Sequence, residues 1–333
     1  MNKQFVTIVV PCFNEGDNID IFHQEVTAVI DKTDSVNYEI IFINDGSSDS
    51  TGEAVKVLKS KHSCQIGYIE LSRNFGKEAA LLAGLEHANG DAVIIIDADL
   101  QDPPSLIPQM IEEWQSGYDM VYTRRTDRRG EPKLRSWCAR LFYNLMNKMS
   151  EVELESGVRD FRLIDRKIVN NLLSMRERLR FSKGMFAWVG YPSKCIEYDN
   201  VKRATGETSW SFRKLFDYAI EGIVSFTYMP LRFASIVGVT VSFGAFIYLF
   251  YVVLDALIYG NPVSGYASLV SIVLFLGGIQ LLFLGVIGEY LGRVFYELKS
   301  RPHYIVKEYL PSEAFEVMVT NKNTAEHEVS GAR

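Results

Sequence analysis

The sequence is poor in the features that would tie it to zinc, to a dinucleotide or to export. Its 333 residues hold four cysteines, Cys12, Cys64, Cys138 and Cys195, with no CxxC pair and no other zinc-like spacing. They read as reduced packing residues of a protein facing a reducing compartment. No GxGxxG follows the first apolar run and no GxxxxGK[ST] occurs, so the glycine loops that cradle a dinucleotide or a P-loop phosphate are missing. No internal repeat is visible. A net charge of −6 argues against a general nucleic-acid binder. Met1 to Gln4 is polar, and Phe5 to Val10 is too short for the apolar part of a signal peptide, so none is expected.

Charge is absent from two long stretches. Between Arg232 and Asp255 lie 22 residues without a formal charge, and between Asp255 and Glu289 lie 33 more. About 20 apolar residues cross a bilayer as a helix, so each stretch can hold one span, over residues 232–255 and 266–290. The turn-rich "YGNPVSG" from Tyr259 to Gly265 would join them as a hairpin. The alternative is a pair of buried helices in a soluble protein. Arg213, Lys214 and Arg232 flank the start, Arg293, Lys299, Arg301 and Lys307 flank the end, and the joining loop has no basic residue. The positive-inside bias therefore predicts a multi-pass membrane protein with both long termini in the cytoplasm and Asp255 at the outer interface. Gly277, Gly278, Gly285 and Gly288 would permit close helix packing and a homo-oligomer.

What is present in the first two hundred residues is an alternation of strand-like and helix-like patterns. "FVTIVVP" (Phe5 to Pro11), "YEIIFIND" (Tyr38 to Asp45), "IGYIEL" (Ile66 to Leu71) and "AVIIIDAD" (Ala92 to Asp99) are apolar, β-branched runs. Helical stretches separate them at residues 18–32, 50–60 and 76–88. This pattern predicts an α/β fold with a mostly parallel sheet covered on both faces. Ligands of such sheets lie beyond the carboxyl ends of the strands, and polar motifs follow all four strands: "CFNEGDN", "NDGSSDST", "SRNFGKE" and "DADLQDPP". The last places Asp97, Asp99 and Asp102 within six positions, so a positive charge is expected among them. Two carboxylates on a short turn can hold a hard divalent cation whose shell a substrate phosphate completes, with Gln101 offering a neutral oxygen. Asp102 is expected to cap the helix after Pro103 and Pro104. Residues 135–149 and 211–226 look amphipathic and aromatic and are expected to lie in a membrane interface. The tail after Pro311 is polar and weakly patterned, and disorder is expected there.

"VPCFNE", "INDGSSDST", "SRNFGKEAALLAGLEHANGD" and "DADLQDPP" together resemble the inverting GT-A glycosyltransferases of family 2. With "DFRLIDR", "RFSKG" and the two-span tail, the chain is similar to the polyprenyl-phosphate glycosyltransferases, the dolichol-phosphate-mannose-synthase-like and bactoprenol glucosyltransferase group, over about residues 5–310. The resemblance implies transfer of a hexose from a nucleotide sugar, UDP-glucose or UDP-N-acetylglucosamine, to undecaprenyl or another polyprenyl phosphate for cell-envelope glycosylation. It implies that Pro11, Asn14 and Glu15 border the nucleoside and that Asp45 hydrogen-bonds the base. Arg73 and Lys77 would lie near the diphosphate or sugar, although Lys77 could equally be a solvated helix residue. Asp97, Ala98, Asp99 and Gln101 would handle Mg²⁺ or Mn²⁺ and the donor diphosphate, with Asp97, Asp99 and Gln101 as metal ligands. Arg125 and Arg128 in "TRRTDRRGEP" match the group's spacing for the acceptor phosphate, and arginine forks suit phosphate geometry. Arg203 in "RATGETSW" matches a further basic motif; members often carry lysine just after it, where Trp210 stands here. Asp160 is the carboxylate expected near the anomeric centre, to orient the sugar, act as a weak base or merely hold Arg162.

The expected organisation is a GT-A catalytic domain over residues 1–210, an amphipathic interface helix over 211–229, a hairpin over 230–292 and a cytoplasmic segment with a flexible tail over 293–333. A processive polysaccharide synthase would need a QxxRW motif and more spans, and neither is visible. The remaining alternative is a membrane scaffold with an inactive nucleotide-binding domain.

Overall fold

The computed structural model describes residues 3–126, 157–175, 177–178, 180–199, 229–259 and 265–314. The two stretches expected in a membrane interface, together with Arg128 and Arg203, lie outside these residues. Two compact units emerge, one comprising residues 1–143, 153–209 and 301–333, the other 144–152 and 210–300.

The first unit is built on an eight-stranded sheet. In chain order its strands are β1 (Gln4–Cys12), β2 (Val36–Asn44), β3 (Ile66–Leu71), β4 (Ala92–Ile95), β5 (Met120–Arg125), β6 (Val158–Asp165), β7 (Ser193–Tyr198) and β8 (Val306–Leu310). Across the sheet the order is β7-β5-β6-β4-β1-β2-β3-β8. The pairs β1–β2, β1–β4, β2–β3 and β5–β7 are parallel; β3–β8, β4–β6 and β5–β6 are antiparallel. The central strands are apolar along their whole length because helices cover both faces: Val6, Ile8, Val9 and Val10 of β1 are all fully buried.

Helix α1 (Ile19–Ile30) buries Ile19, Phe22, Val26 and Ile30, a helical-period stripe that packs into the core. Helices α2 (Thr51–Lys61), α3 (Lys77–His87) and α4 (Ile107–Gln115) follow β2, β3 and β4. Each fully buried Ile or Phe side chain in this core contributes about 1.5–3 kcal/mol. After β6 come α5 (Arg166–Ser174) and α6 (Ser182–Trp188). The chain runs outward from β1 through β2 to β3, then returns to the other side of β1 to form β4. Such a reversal opens a crevice at the carboxyl ends of the two strands.

Two expectations change here. The strand-like run from Ala92 to Asp99 forms a strand only as far as Ile95, and Asp97 and Asp99 lie in the turn beyond it. The chain beyond Pro311 is also held at its start: the N–H groups of Glu313 and Ala314 donate to the carbonyls of Ser63 and Cys64, and Ser312 is buried. Residues 301–314, set apart in the sequence as a separate segment, supply the edge strand β8 of the catalytic sheet.

The second unit contains α7 (Met229–Tyr259) and α8 (Tyr266–Leu298). Both hold a stretch long and apolar enough to cross a membrane, Leu231–Tyr248 and Phe275–Leu298. Phe243, Phe246, Leu281 and Leu284 are all exposed in the isolated chain. A side chain placed at Gly277, Gly278, Gly285 or Gly288 would meet nothing within 4 Å among the described residues, so these glycines make no close approach there.

Candidate active site

The acidic turn begins where β4 ends. Ile96 still donates its N–H to the Val9 carbonyl, at 3.2 Å, and the chain then leaves the sheet. Leu100 takes a left-handed backbone, φ 55°, unusual for a branched side chain, while that side chain packs against the core. Core packing thus sets the turn that presents Asp97, Asp99 and Gln101. The Asp99 carboxylate accepts from the Gln101 backbone N–H at 3.1 Å and from its Nε2 at 2.5 Å. The carboxylate of Asp97 faces the other way, to Lys77.

Where the sequence pointed to a metal as the counter-charge of the acidic turn, the protein itself also brings one, Lys77. Its Nζ lies 2.7 Å from Asp97 Oδ2 and 2.6 Å from Asp160 Oδ2, joining the ends of β4 and β6 to the start of α3. The Lys77 side chain as a whole remains 41% exposed, with both carboxylates in contact with its ammonium. Burial opposes the ammonium charge, but Asp97 and Asp160 outweigh it and hold Lys77 firmly protonated. The two carboxylates respond differently to their shared cation. Burial also opposes the charge of Asp160, yet Lys77, Lys183 and Arg162 overcome it and hold the carboxyl well below the usual range. Asp97 is pushed upward, first by burial and then by the like charges of Asp160 and Asp99, against the pull of Lys77.

Asp45 places Lys77. Its buried carboxylate accepts the N–H of Phe75 at 2.7 Å and that of Gly76 at 2.9 Å, one to each oxygen, in the turn that opens α3. The residue expected to bind a base is therefore already engaged with the "NFG" turn. Gly46, φ 64°, lets the β2 and β3 loops touch backbone to backbone: a Cβ there would stand 2.3 Å from the Arg73 carbonyl carbon. Arg73 itself lies over the Phe75 ring, 4.0 Å from its centroid.

The first two motifs form one continuous wall. Asn14, at φ 56°, donates its N–H to Ser47 Oγ at 3.0 Å, and its side-chain oxygen accepts from the Ser48 N–H at 2.9 Å. Glu15 donates its N–H to Thr51 Oγ1 at 2.9 Å and accepts from Asn18 Nδ2 at 2.6 Å. Burial, then the nearby Asp99 and Asp97, push the Glu15 carboxyl upward against the Asn18 hydrogen bond, which places it in the same crevice. Pro11 sits at the end of β1, and Ala98 is buried within the acidic turn.

On the β5–β6 side, Arg125 ends β5 with its Nε buried and lacking a hydrogen-bond partner. Asp102 does not cap a helix: neither the 3₁₀ turn Pro104–Leu106 nor α4 has a side-chain cap. It is instead an anchor, accepting from Arg159 Nε at 3.1 Å and from the Tyr198 hydroxyl. Arg162 does not pair with the Asp160 carboxylate either. It donates to the Arg159 carbonyl at 2.9 Å, more weakly to the Asp160 carbonyl at 3.4 Å, and stacks 3.8 Å over Phe186, and burial pulls its guanidinium down to about 10.

Sequence reasoning missed Arg159, Tyr198, Glu78 and Lys183. The "RDFRL" and "RFSKG" motifs carried two of these residues, Arg159 and Lys183, and "SRNFGKE" carried Glu78, but nothing local said which partner each would meet.

The donor set suits a hard cation. Asp97, Asp99 and Gln101 offer oxygen from one turn, and among the described residues no three His, Cys, Asp or Glu side chains form a closed metal cage. A metal bound by one or two carboxylates leaves positions for substrate phosphate oxygens and water, the arrangement Mg²⁺ favours.

The profile described as Glycosyl transferase family 2 matches residues 7–173, and the profile described as GtrB C-terminal hairpin matches residues 229–294. The chain belongs to glycosyl transferase family 2 and is a glycosyltransferase. It is 46% identical over 308 residues to a glycosyltransferase of Bacillus subtilis strain 168, covering 92% of this chain and 93% of that protein. It is 46% identical over 302 residues to the prophage bactoprenol glucosyl transferase homolog of Escherichia coli K12, covering 91% and 98%. The bactoprenol glucosyl transferase of Shigella phage SfII is 44% identical over 302 residues, covering 91% and 97%.

Proposed function

We propose that the chain transfers glucose, with inversion, from UDP-glucose to a polyprenyl phosphate at a membrane surface. The observation that carries this reading is the union, in one chain, of an acidic donor crevice with a hairpin of two helices of span length. A water-soluble donor and a lipid-borne acceptor each find a matching element. The relatives named bactoprenol glucosyl transferase match this chain across both parts.

In the reaction, a phosphate oxygen of the acceptor attacks the anomeric carbon. The bond from that carbon to the diphosphate oxygen breaks, and UDP leaves with its electron pair. A phosphomonoester's second pKa is about 6, so the nucleophile is already largely ionised at neutral pH. Positioning and charge neutralisation, rather than a strong base, lower the barrier. Asp97, Asp99 and Gln101 would hold Mg²⁺ or Mn²⁺, which when bound neutralises the donor diphosphate. Asn14, Glu15 and Pro11 line the nucleoside side, and Asp45 and Arg73 shape the turn that brings Lys77 to the sugar diphosphate. Asp160, kept ionised by its cations, faces the anomeric centre, and Arg125, with Arg128 and Arg203, receives the acceptor phosphate. The basic residues flanking the hairpin support a multi-pass protein with its catalytic unit in the cytoplasm.

The test is mass spectrometry of the lipid formed by the purified chain from undecaprenyl phosphate and a panel of nucleotide sugars. A hexosyl-phospholipid with UDP-glucose is the expected product. Binding of nucleotide without lipid-linked sugar from any donor would favour an inactive scaffold instead.

A further inference from the structure

Among the described residues, the cations around Asp160 are all committed except one. Lys77 is shared by Asp97 and Asp160, Arg159 is held by Asp102, and Arg162 is turned to backbone carbonyls. Lys183, half-buried in the first turn of α6, makes no hydrogen bond or ion pair among the described residues, while the same helix sets Phe186 against Arg162 of β6 at 3.8 Å. Its position is built. The Glu78 carboxylate, next to Lys77, accepts the Ser182 N–H at 3.3 Å and the Ser182 hydroxyl, tying the start of α6 to the start of α3. Burial pulls the Lys183 ammonium below its usual value, and Arg162, Lys77 and Arg159 add repulsion against the attraction of Asp160. A partly desolvated ammonium without a partner, crowded by other cations, is completed by an anion.

Two anions enter this crevice under the function proposed above, and the arrangement favours the acceptor. The donor diphosphate is served from the β1–β4 side by the acidic turn and its metal. Lys183 acts on Asp160 and Arg162 of β6, the strand that pairs with β5, where Arg125 stands. An acceptor phosphate attacking near Asp160 would also be repelled by that carboxylate unless a cation stood beside it. We propose that Lys183 grips the phosphate of the acceptor lipid and screens it from Asp160 during attack.

The inference rests on the proposed transfer, so its test must be separable from that reading. Lys183→Met removes the charge at nearly constant length, and Lys183→Arg keeps it. Acceptor kinetics with undecaprenyl phosphate are compared with calorimetric UDP-glucose affinity and with acceptor-free hydrolysis of UDP-glucose. Lys183→Met should lower kcat/KM for the lipid at least about tenfold, the loss of one charge-assisted contact, leave donor affinity and hydrolysis within about twofold, and be partly rescued by Lys183→Arg. An unchanged acceptor kcat/KM, or an equal loss in donor affinity, overturns it. Should the wild-type chain make no lipid-linked sugar, the proposed function fails by itself. Saturable binding of undecaprenyl phosphate in nanodiscs, weakened in Lys183→Met or unaltered there, then decides the role of Lys183.

Discussion

Asp97 and Asp160 share the Lys77 ammonium, so the integrity of the site depends on Lys77. Lys77→Met would leave two facing carboxylates without a direct counter-charge. In the parent chain Asp160, with its carboxyl held below the ordinary value of 3.8, contributes stability that is complete at neutral pH and lost only as pH falls through its depressed pKa. In the variant the carboxylates repel at neutral pH and relax as they take up protons. The melting-temperature deficit of Lys77→Met, measured with chelator present, should therefore be larger at about pH 7 than at about pH 5. Equal deficits would show that Lys77 stabilises by packing alone. Asp99 behaves differently because its contacts are the N–H groups of Gln101, which the oxygen of an asparagine can still accept in part. Asp99→Asn should keep the melting temperature within a few degrees yet reduce metal-dependent transfer at least about a hundredfold. Wild-type turnover with an unchanged metal requirement would remove Asp99 from the metal site.

The element that ties the fold together from afar is β8. The chain returns from α8 and runs antiparallel to β3, covering an edge that would otherwise present open backbone groups. Lys59 Nζ fastens it, donating to the carbonyls of Ile66 at 2.9 Å and Pro311 at 2.7 Å. Beyond the strand, the Ser312 hydroxyl donates to buried Glu39, whose other oxygen accepts from Thr7 Oγ1 at 2.8 Å. Ser312→Val strands a buried carboxylate oxygen and should cost about 1–3 kcal/mol in denaturant unfolding; an unchanged midpoint would mean the hydroxyl contributes nothing. Glu39 also gives the latch a pH dependence. Burial raises its pKa above 4.5 despite its hydrogen bonds from Ser312 and Thr7. A raised acid favours the fold fully at a pH below its unfolded value and loses that contribution as pH climbs through the folded value. Glu39→Gln should thus flatten the loss of stability as pH rises above the ordinary carboxyl value of 4.5, read from melting curves.

At the scale of the whole molecule, the path of the chain constrains its topology. The catalytic sheet contains strands from before α7 and one from after α8. Both ends of the hairpin must therefore emerge on the same side of any bilayer it enters, which requires an even number of crossings. Two helices of span length satisfy this, and the proposed cytoplasmic placement of that side rests on the basic residues Arg232, Arg293, Lys299 and Arg301 that flank them. Cysteines placed at Lys56, Lys307 and Asn261 and labelled in sealed vesicles should report the first two from the cytoplasmic side and the third from the opposite one. Labelling of positions 56 and 261 from the same side would exclude the hairpin as a spanning element.

The strand runs from Phe5 to Asp99, the helices between them, the four polar strand ends and the uncharged stretches after Arg232 were all legible in the sequence. Each rests on a local period or a short motif, which a linear pattern records directly. The partners of the charges were not legible, since they depend on which distant segments the sheet order makes neighbours. Lys77 meets Asp160 across 83 residues, Tyr198 meets Asp102 across 96, and Ser312 meets Glu39 across 273. The sequence by itself determined that an acidic turn would end a buried strand beside a cation. Only the tertiary structure decided that this cation is Lys77, that Asp102 anchors Arg159 instead of capping a helix, and that the segment after the hairpin completes the sheet. The physical reason is that pairing of buried charges and closure of a sheet edge are set by packing between elements, to which local periodicity is blind.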